Sequence, residues 1–116
     1  MGAWAAGNFD NDAALDMVEA VLDVARQEII AFSESSRVQV EDIDSIAACV
    51  AIHLALRAQC RAGRPDADLA ANLRTKMLRI YDEQIDELEP APEYRVARRA
   101  VLEQTLLAYE QAAAAD

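Results

Sequence analysis

With 116 residues, 53 % of them hydrophobic, the chain is long enough to form one globular domain around its own core. Its 21 acidic and 11 basic residues give a formal net charge of −10, which repels phosphate and excludes nucleic acid or an anionic membrane surface as a default partner. Only three Gly and three Pro are present, too few for the frequent turns of an all-β fold, so the composition favours helices.

The sequence predicts a protein of the reducing cytoplasm. No charged stretch followed by an apolar core opens the chain, so we expect no secretory signal. The longest apolar run, Ile46 to Leu56, is about half as long as a membrane-spanning helix requires. Two cysteines, Cys49 and Cys60, are too few for the disulfide framework of a small secreted domain. We therefore expect no membrane association.

Taken in chain order, the first predicted helix runs from about Asn11 to Ser33. Asp10, Asn11 and Asp12 crowd its start, where short polar side chains cap free backbone N–H groups. Its inward positions follow an alternating three–four spacing: Leu15, Val18, Leu22, Ala25, Ile29 and Phe32. Further apolar residues widen this stripe: Met17, Val21 and Val24. Such a stripe is wider than one neighbouring helix covers, so either the N-terminal segment or a second copy of the chain must cover the rest. We expect self-association, most simply as a dimer.

The second predicted helix runs from about Asp42 to Ala62 and is apolar nearly all round, which is typical of a central helix. Gly63 follows as the expected C-terminal cap, and Pro65 prevents continuation. Before this helix, Val38 and Val40 are expected to form a short extended piece. Small side chains share one side of the helix and are expected to let a neighbour approach closely: Ala48, Ala51, Ala55, Ala58 and Ala62.

Two more helices are predicted, from about Asp66 to Leu88 and from about Glu93 to Ala112, with residues 113–116 frayed. The expected core positions of the third helix are Leu69, Leu73, Met77, Ile80, Tyr81 and Leu88. Those of the fourth helix are Tyr94, Val101, Leu102, Leu106 and Tyr109. The short connections favour antiparallel neighbours. The prediction is therefore an all-α, four-helix bundle-like single domain over residues 1–116.

The N-terminal motif carries a family resemblance. It consists of Gly2, Ala3, Trp4, Gly7, Phe9, Asn11, Asp12, Ala14 and Asp16. In this order the residues resemble the start of the DUF4259 family, small bacterial domains with no assigned function. The chain departs from the usual family start at Ala5, where Gly is common, and at Asn8, where Pro is common. The resemblance implies no catalytic residue.

The same segment predicts a structural plug. Trp4 and Phe9 are large and apolar, and they stand directly before a capped helix. Burial of such a side chain stabilises a fold by about 2–3 kcal/mol. We therefore expect residues 1–10 to fold back over the ends of the bundle helices.

The chain offers little for metal or catalytic chemistry. Cys49, His53 and Cys60 fall on roughly one side of the second helix. The two cysteines are nevertheless about 16 Å apart along the helix, whereas a zinc–sulfur bond is about 2.3 Å long. His53 is the only histidine and lies in the most apolar segment, a poor place for a catalytic base. We expect no metal, no cofactor and no enzymatic activity.

An acidic cluster marks the end of the third helix: Asp82, Glu83, Asp86, Glu87 and Glu89. The helix dipole disfavours negative charge at this end. One interpretation is a docking patch for a basic partner. The favoured one is that helices three and four form a hairpin, in which Arg95, Arg98 and Arg99 lie across from the cluster.

These observations favour a non-catalytic protein that binds another protein or a second copy of itself. One alternative is an immunity-type protein, whose acidic surface would neutralise a basic toxin. Another is a small-molecule-binding helical domain or an enzyme, with a pocket between its helices.

Overall fold

The structure, a computed structural model, describes residue 3 and residues 5–114. Over these residues the chain forms four α-helices: α1 (Asp12–Glu34), α2 (Ile43–Gln59), α3 (Ala67–Gln84) and α4 (Pro92–Ala114). Two 3-10 turns, Val40–Asp42 and Ile85–Leu88, precede α2 and follow α3. The described part of the chain contains no strand, only an isolated β-bridge between Ala3 and Asn11. The prediction of an all-α, bundle-like domain is confirmed.

The helices form two hairpins, α1–α2 and α3–α4. α1 packs on α2 and α3, and α4 packs on the same two helices. α2 and α4 run in the same direction, because Asp44 meets Arg98 near their starts and His53 meets Tyr109 further along both. No helix in the described part of the chain is long and apolar enough to cross a membrane.

The core is aliphatic and lies between the two hairpins. The inward positions of α1 from Val18 to Phe32 are buried as their spacing predicts, while Leu15 is half-buried. Two tyrosines, Tyr81 and Tyr109, are the largest fully buried side chains. A smaller satellite cluster of Val18, Leu22 and Ala62 extends the core toward the start of α1.

The N-terminal motif builds a tight turn before α1. The Gly7 N–H donates to Asp10 Oδ2 at 2.9 Å, and a Cβ at Gly7 would overlap that oxygen. Only glycine therefore fits there without displacing Asp10. Asn11 then caps α1, accepting from the Ala14 N–H at 2.8 Å through its side-chain oxygen.

The prediction of an N-terminal plug depends on Trp4 and Phe9, and only Phe9 is among the described residues. Phe9 keeps 37 % of its surface exposed, so this ring does not contribute the buried contact that the sequence predicts. Gly2 and Trp4 lie outside the described residues, and so does the end of the tail that was expected to fray. Ala113 and Ala114 belong to α4.

Helix ends differ from the prediction in three places. α2 ends at Gln59 instead of Ala62, because Cys60 is already extended with φ −156°, and Gly63 is no helix cap. α3 ends at Gln84 and tightens into a 3-10 turn. Val40 opens another 3-10 turn instead of an extended piece. The sequence pattern misses the two 3-10 turns because a 3-10 turn keeps the same inward positions over one turn.

Several predicted core residues are exposed. Leu88, Tyr94 and Val101 lie at the surface. Among the five alanines predicted to share one side of the second helix, Ala62 lies beyond the end of α2 and is buried, whereas four face solvent: Ala48, Ala51, Ala55 and Ala58. The reason is the arrangement of the bundle. α1 and α4 pack on two sides of α2, and the outer side of α2 between them is left uncovered.

Candidate functional sites

The outer side of α1 presents a row of exposed apolar side chains. Met17 and Val24 expose 66 % and 68 % of their surfaces, and Val21 between them is half-exposed. The spacing of four and three positions places all three on one face of the helix. This face is the flank of the buried stripe that the sequence predicts to be too wide for one neighbour.

The row continues onto α2. Burial raises the pKa of the Cys49 thiol on α2, and the negative charge of Glu28 on α1, which lies nearby, raises it further. Val24 precedes Glu28 by one turn and Ile52 follows Cys49 by one turn, so the helical spacing places both apolar side chains on the same side of the antiparallel pair. Ile52 is exposed. The outer α1–α2 face is defined by four exposed residues: Met17, Val21, Val24 and Ile52.

Few charges lie on this face. From Ile46 to Leu56, α2 carries no Asp, Glu, Lys or Arg. On α1, helical periodicity turns Asp16, Glu19 and Asp23 toward other sides. Glu28 is therefore the carboxylate that borders the outer α1–α2 face, on a protein with a net charge of −10.

A polar latch fastens the α2–α3 connection to α1. Glu19 Oε1 accepts from the Gly63 N–H at 3.0 Å, and Glu19 Oε2 accepts from Arg26 Nη2 at 3.0 Å. The Gly63 carbonyl lies 2.8 Å from His53 Nε2. Arg57 donates to the neighbouring Ala62 carbonyl at 3.0 Å. The hydrogen bond from Gly63 is the main cause that lowers the pKa of Glu19.

His53 is a core residue of this latch. It is completely buried, and its ring meets Tyr109 edge-on with centroids 5.7 Å apart. Since a carbonyl oxygen only accepts, Nε2 carries the proton that points at Gly63. Nδ1 is buried and has no hydrogen-bond partner within the described part of the chain. Burial lowers the pKa of His53, so the neutral ring is the favoured form.

Lys76 connects the two hairpins. Its Nζ donates to the carbonyls of Phe32, Ser33 and Ser35 at 2.6, 3.1 and 2.5 Å, and it lies 5.3 Å from the centre of the Phe32 ring. These carbonyls end α1, whose last turn has no basic residue of its own. A cation from α3 thus complements the negative end of the α1 dipole, beside an open polar depression of about 540 Å³.

Two members of the acidic cluster, Asp82 and Asp86, are paired with arginines of α4. Arg99 holds Asp82 through two hydrogen bonds, at 3.0 and 2.9 Å, and these lower the pKa of Asp82. Arg95 binds Asp86 at 2.8 Å. The predicted pairing across the hairpin is confirmed for these two arginines. The other acidic members, Glu83, Glu87 and Glu89, are exposed.

Arg98 differs from the expectation. It reaches across to α2 and binds Asp44 Oδ1 at 2.7 Å, because α4 packs between α2 and α3 and this position faces α2. The ion pair closes one side of a cleft that the sequence does not reveal.

This cleft lies between the two 3-10 turns and the start of α4, and encloses about 430 Å³. Its floor is apolar and buried, whereas Leu88 and Tyr94 stand at its mouth and are about half-exposed. We call it the tyrosine cleft. Its walls consist of ten residues: Val40, Glu41, Ile43, Asp44, Tyr81, Ile85, Leu88, Pro90, Tyr94 and Arg98.

Two hydrogen bonds fix the walls of the tyrosine cleft. The Val40 N–H donates to Gln84 Oε1 at 3.0 Å and so ties the two 3-10 turns together. The Tyr81 hydroxyl donates to the Arg95 carbonyl at 2.7 Å, while burial raises the pKa of that hydroxyl. The one sequence signal for the cleft is the Glu89-Pro-Ala-Pro92 break, which forces the chain to turn at its rim.

The described residues offer no group of three His, Cys, Asp or Glu side chains that could hold a metal ion. Cys49 and Cys60 are free thiols, both half-buried. Cys60 Sγ lies 3.1 Å from the Leu56 carbonyl one turn earlier. The two cysteines and His53 therefore serve separate local contacts.

Comparison with known proteins gives the chain a family. The family model for a domain of unknown function, DUF4259, matches residues 2–112. The chain belongs to the DUF4259 family, and the match covers all four helices rather than the N-terminal motif alone. No curated protein and no solved structure matches the chain.

Proposed function

We propose that this protein is a non-catalytic protein of the bacterial cytoplasm that works by binding a second copy of itself through the outer α1–α2 face. The observation that carries the proposal is the exposure of Met17, Val21 and Val24 along one face of α1, with Ile52 also exposed on the neighbouring α2. Exposed apolar surface of this kind is typical of a protein interface.

Charge favours a second copy over a basic partner at this face. A basic partner would need carboxylates around the apolar centre, but Glu28 alone borders it. Two copies that each carry −10 repel each other least where charges are sparse. The outer α1–α2 face is such a region, so it suits an interface between two like-charged molecules.

The spacing of the row supports an antiparallel two-fold contact of α1 with α1. With Val21 at the axis, Met17 of one copy meets Val24 of the other, in the three–four pattern of packed helices. Glu28 lies seven residues from the axis, so an antiparallel pair keeps the two Glu28 carboxylates about 20 Å apart. A parallel pair would place them side by side.

The first experiment introduces a carboxylate at the axis. Val21→Glu should convert the dimer to a monomer at micromolar concentration, as measured by analytical ultracentrifugation. The matched control is Val96→Glu, an exposed valine on α4, which should leave the dimer intact. The wild-type dimer should persist or tighten in high salt, where like-charge repulsion is screened. A wild-type monomer over the whole concentration range would refute the proposal.

A second experiment tests the orientation. Met17→Glu and Val24→Lys should each weaken the dimer, and the double variant should restore it, because the new charges meet across an antiparallel axis. In a parallel dimer the charges would meet their own kind and the double variant would stay monomeric. That outcome would retain self-association and overturn the antiparallel arrangement.

A further inference from the structure

We propose that the tyrosine cleft is a binding site for a small organic cation, a molecule with an apolar body and an ammonium group. The tyrosine cleft shares no residue with the outer α1–α2 face. Ligand binding there is therefore independent of self-association. The argument uses the shape of the cleft, the residues at its mouth and its charge.

The shape suits a small molecule. A cleft of about 430 Å³ falls within the range of roughly 300–1,000 Å³ that ligand pockets occupy. Ile43, Tyr81 and Ile85 give it a buried apolar floor, and the polar groups stand at the rim. Apolar walls with a few polar groups are the usual composition of such pockets.

The mouth consists of side chains that the sequence pattern assigns to the core. A regular continuation of α3 would turn Leu88 inward, but the α-helix ends at Gln84, and after the 3-10 turn Leu88 exposes 49 % of its surface, next to the left-handed Glu89 with φ 50°. A non-glycine residue in this conformation is uncommon and unfavourable. Tyr94 exposes 52 % of its surface on the other side of the mouth. Departures from local sequence rules of this kind concentrate at functional sites.

The charge selects a cation. Arg98 and Asp44 neutralise each other at 2.7 Å, whereas Glu41 has no ion pair with any residue that the structure describes. The lining therefore carries one excess negative charge. The face of Tyr94 adds the attraction of an aromatic ring for a cation. An ammonium group would thus bind at the rim, between Glu41 and Tyr94, with its apolar part on the floor.

The test compares three probes of the same shape: phenethylamine, phenethyl alcohol and hydrocinnamate, which are cationic, neutral and anionic at neutral pH. Each is titrated into isotope-labelled protein and followed by two-dimensional NMR. Phenethylamine should shift the amides around Val40, Ile85 and Leu88 with a dissociation constant in the millimolar range, as expected for so small a ligand. The alcohol should bind about threefold or more weakly, and hydrocinnamate weakest.

Two variants at exposed positions separate the contributions. Glu41→Gln should weaken the amine by about threefold or more and leave the alcohol unchanged, because only the charge is removed. Tyr94→Ala should weaken both probes, since the aromatic wall is lost. Val96→Ala, an exposed position on the same helix, is the control and should change neither. The proposal is overturned if the alcohol binds as tightly as the amine, if the shifts map elsewhere, or if the amine causes none.

Discussion

The two hairpins of this small bundle are held together by different chemistry. The α1–α2 hairpin has an apolar interface, a partly buried polar latch around Gly63 and an outer side that is poor in charge. The α3–α4 hairpin carries paired arginines and carboxylates along its surface, such as Arg99 with Asp82. The charged groups are therefore distributed unevenly: the outer side of α1–α2 is poor in charge, whereas the ion pairs on α3–α4 connect the two helices of that hairpin.

The largest expected loss of stability follows from removing the Lys76 contacts that connect the two hairpins. Lys76→Met keeps the aliphatic stem but removes all three hydrogen bonds to the end of α1. We expect a loss of about 2–3 kcal/mol in the free energy of unfolding, because hydrogen bonds to a charged donor are stronger than neutral ones. Arg79→Met is the control, since Arg79 is exposed and its ion pair with Glu83 is long, at 3.9 Å. Urea denaturation measures both, and equal effects would contradict the role of Lys76.

The second prediction concerns the pH dependence of the α1–α2 latch. Burial lowers the pKa of His53 below its ordinary value of 6.5. The hydrogen bond to Gly63 and the charge of Glu19 oppose this shift, while the charges of Arg26 and Arg57 add to it. The folded state therefore binds fewer protons than the unfolded chain just below that value. The stabilising contribution is complete above it and is lost as the pH falls through the folded pKa.

The variant His53→Gln tests this sign. Glutamine retains a donor for the Gly63 carbonyl but does not titrate. The free energy of unfolding should fall between about pH 7.5 and pH 5.5 in the wild type and stay flatter in the variant. Glu19 and Asp82, whose pKa values are lowered, contribute only at more acidic pH. Parallel curves for the two proteins would mean that His53 is not the responsible group.

The third effect is smaller and belongs to the α3–α4 hairpin. Asp82 and Arg99 form a two-bonded but exposed pair, so a double-mutant cycle with alanine should give a coupling energy of up to about 1 kcal/mol. The same cycle on Arg79 and Glu83, at 3.9 Å, should give about zero. High salt should reduce the first value. Equal coupling in the two cycles would show that the short geometry contributes nothing.

The smallest effect is expected on the uncovered outer side of α2. Ala55→Leu should change the free energy of unfolding by less than about 0.5 kcal/mol, since Ala55 is exposed. Ala70→Leu, at a completely buried position of α3, should cost about 1–3 kcal/mol through overpacking. The thermal unfolding temperatures of both variants show whether the outer side of α2 around Ala55 is uncovered in the isolated protein.

The sequence predicts α1 better than α4, for a physical reason. In α1, the alternating three–four spacing identifies the buried positions from Val18 to Phe32, although the stripe is wider than the buried face. In α4, apolar residues occur on every side, and Val96, Val101 and Leu107 are exposed while Leu102 is buried. Which side is covered there depends on how α4 packs against α2 and α3, and periodicity does not contain that information.

The candidate sites also differ in how far the sequence predicts them. Pairing of Arg95 and Arg99 with the acidic cluster was predictable, because a short connection places the two helix ends together. The tyrosine cleft was not, since it depends on the tightening of the chain after Gln84 and on the left-handed Glu89. The exposure of Met17 and Val24 was partly predictable. The spacing predicts an apolar stripe on α1 that is too wide for one neighbouring helix, but only the packing of α2 shows which flank of the stripe remains uncovered.

Lys76 is the only lysine in the sequence, and its side-chain amine is fully occupied by carbonyls at the end of α1. Amine-directed labels should therefore modify this side chain only in molecules whose hairpins have separated at that point. The rate of acylation at Lys76 would then report the opening of one defined contact in the otherwise intact protein. Lys76 thus serves as a natural reporter of local unfolding, without any engineered probe.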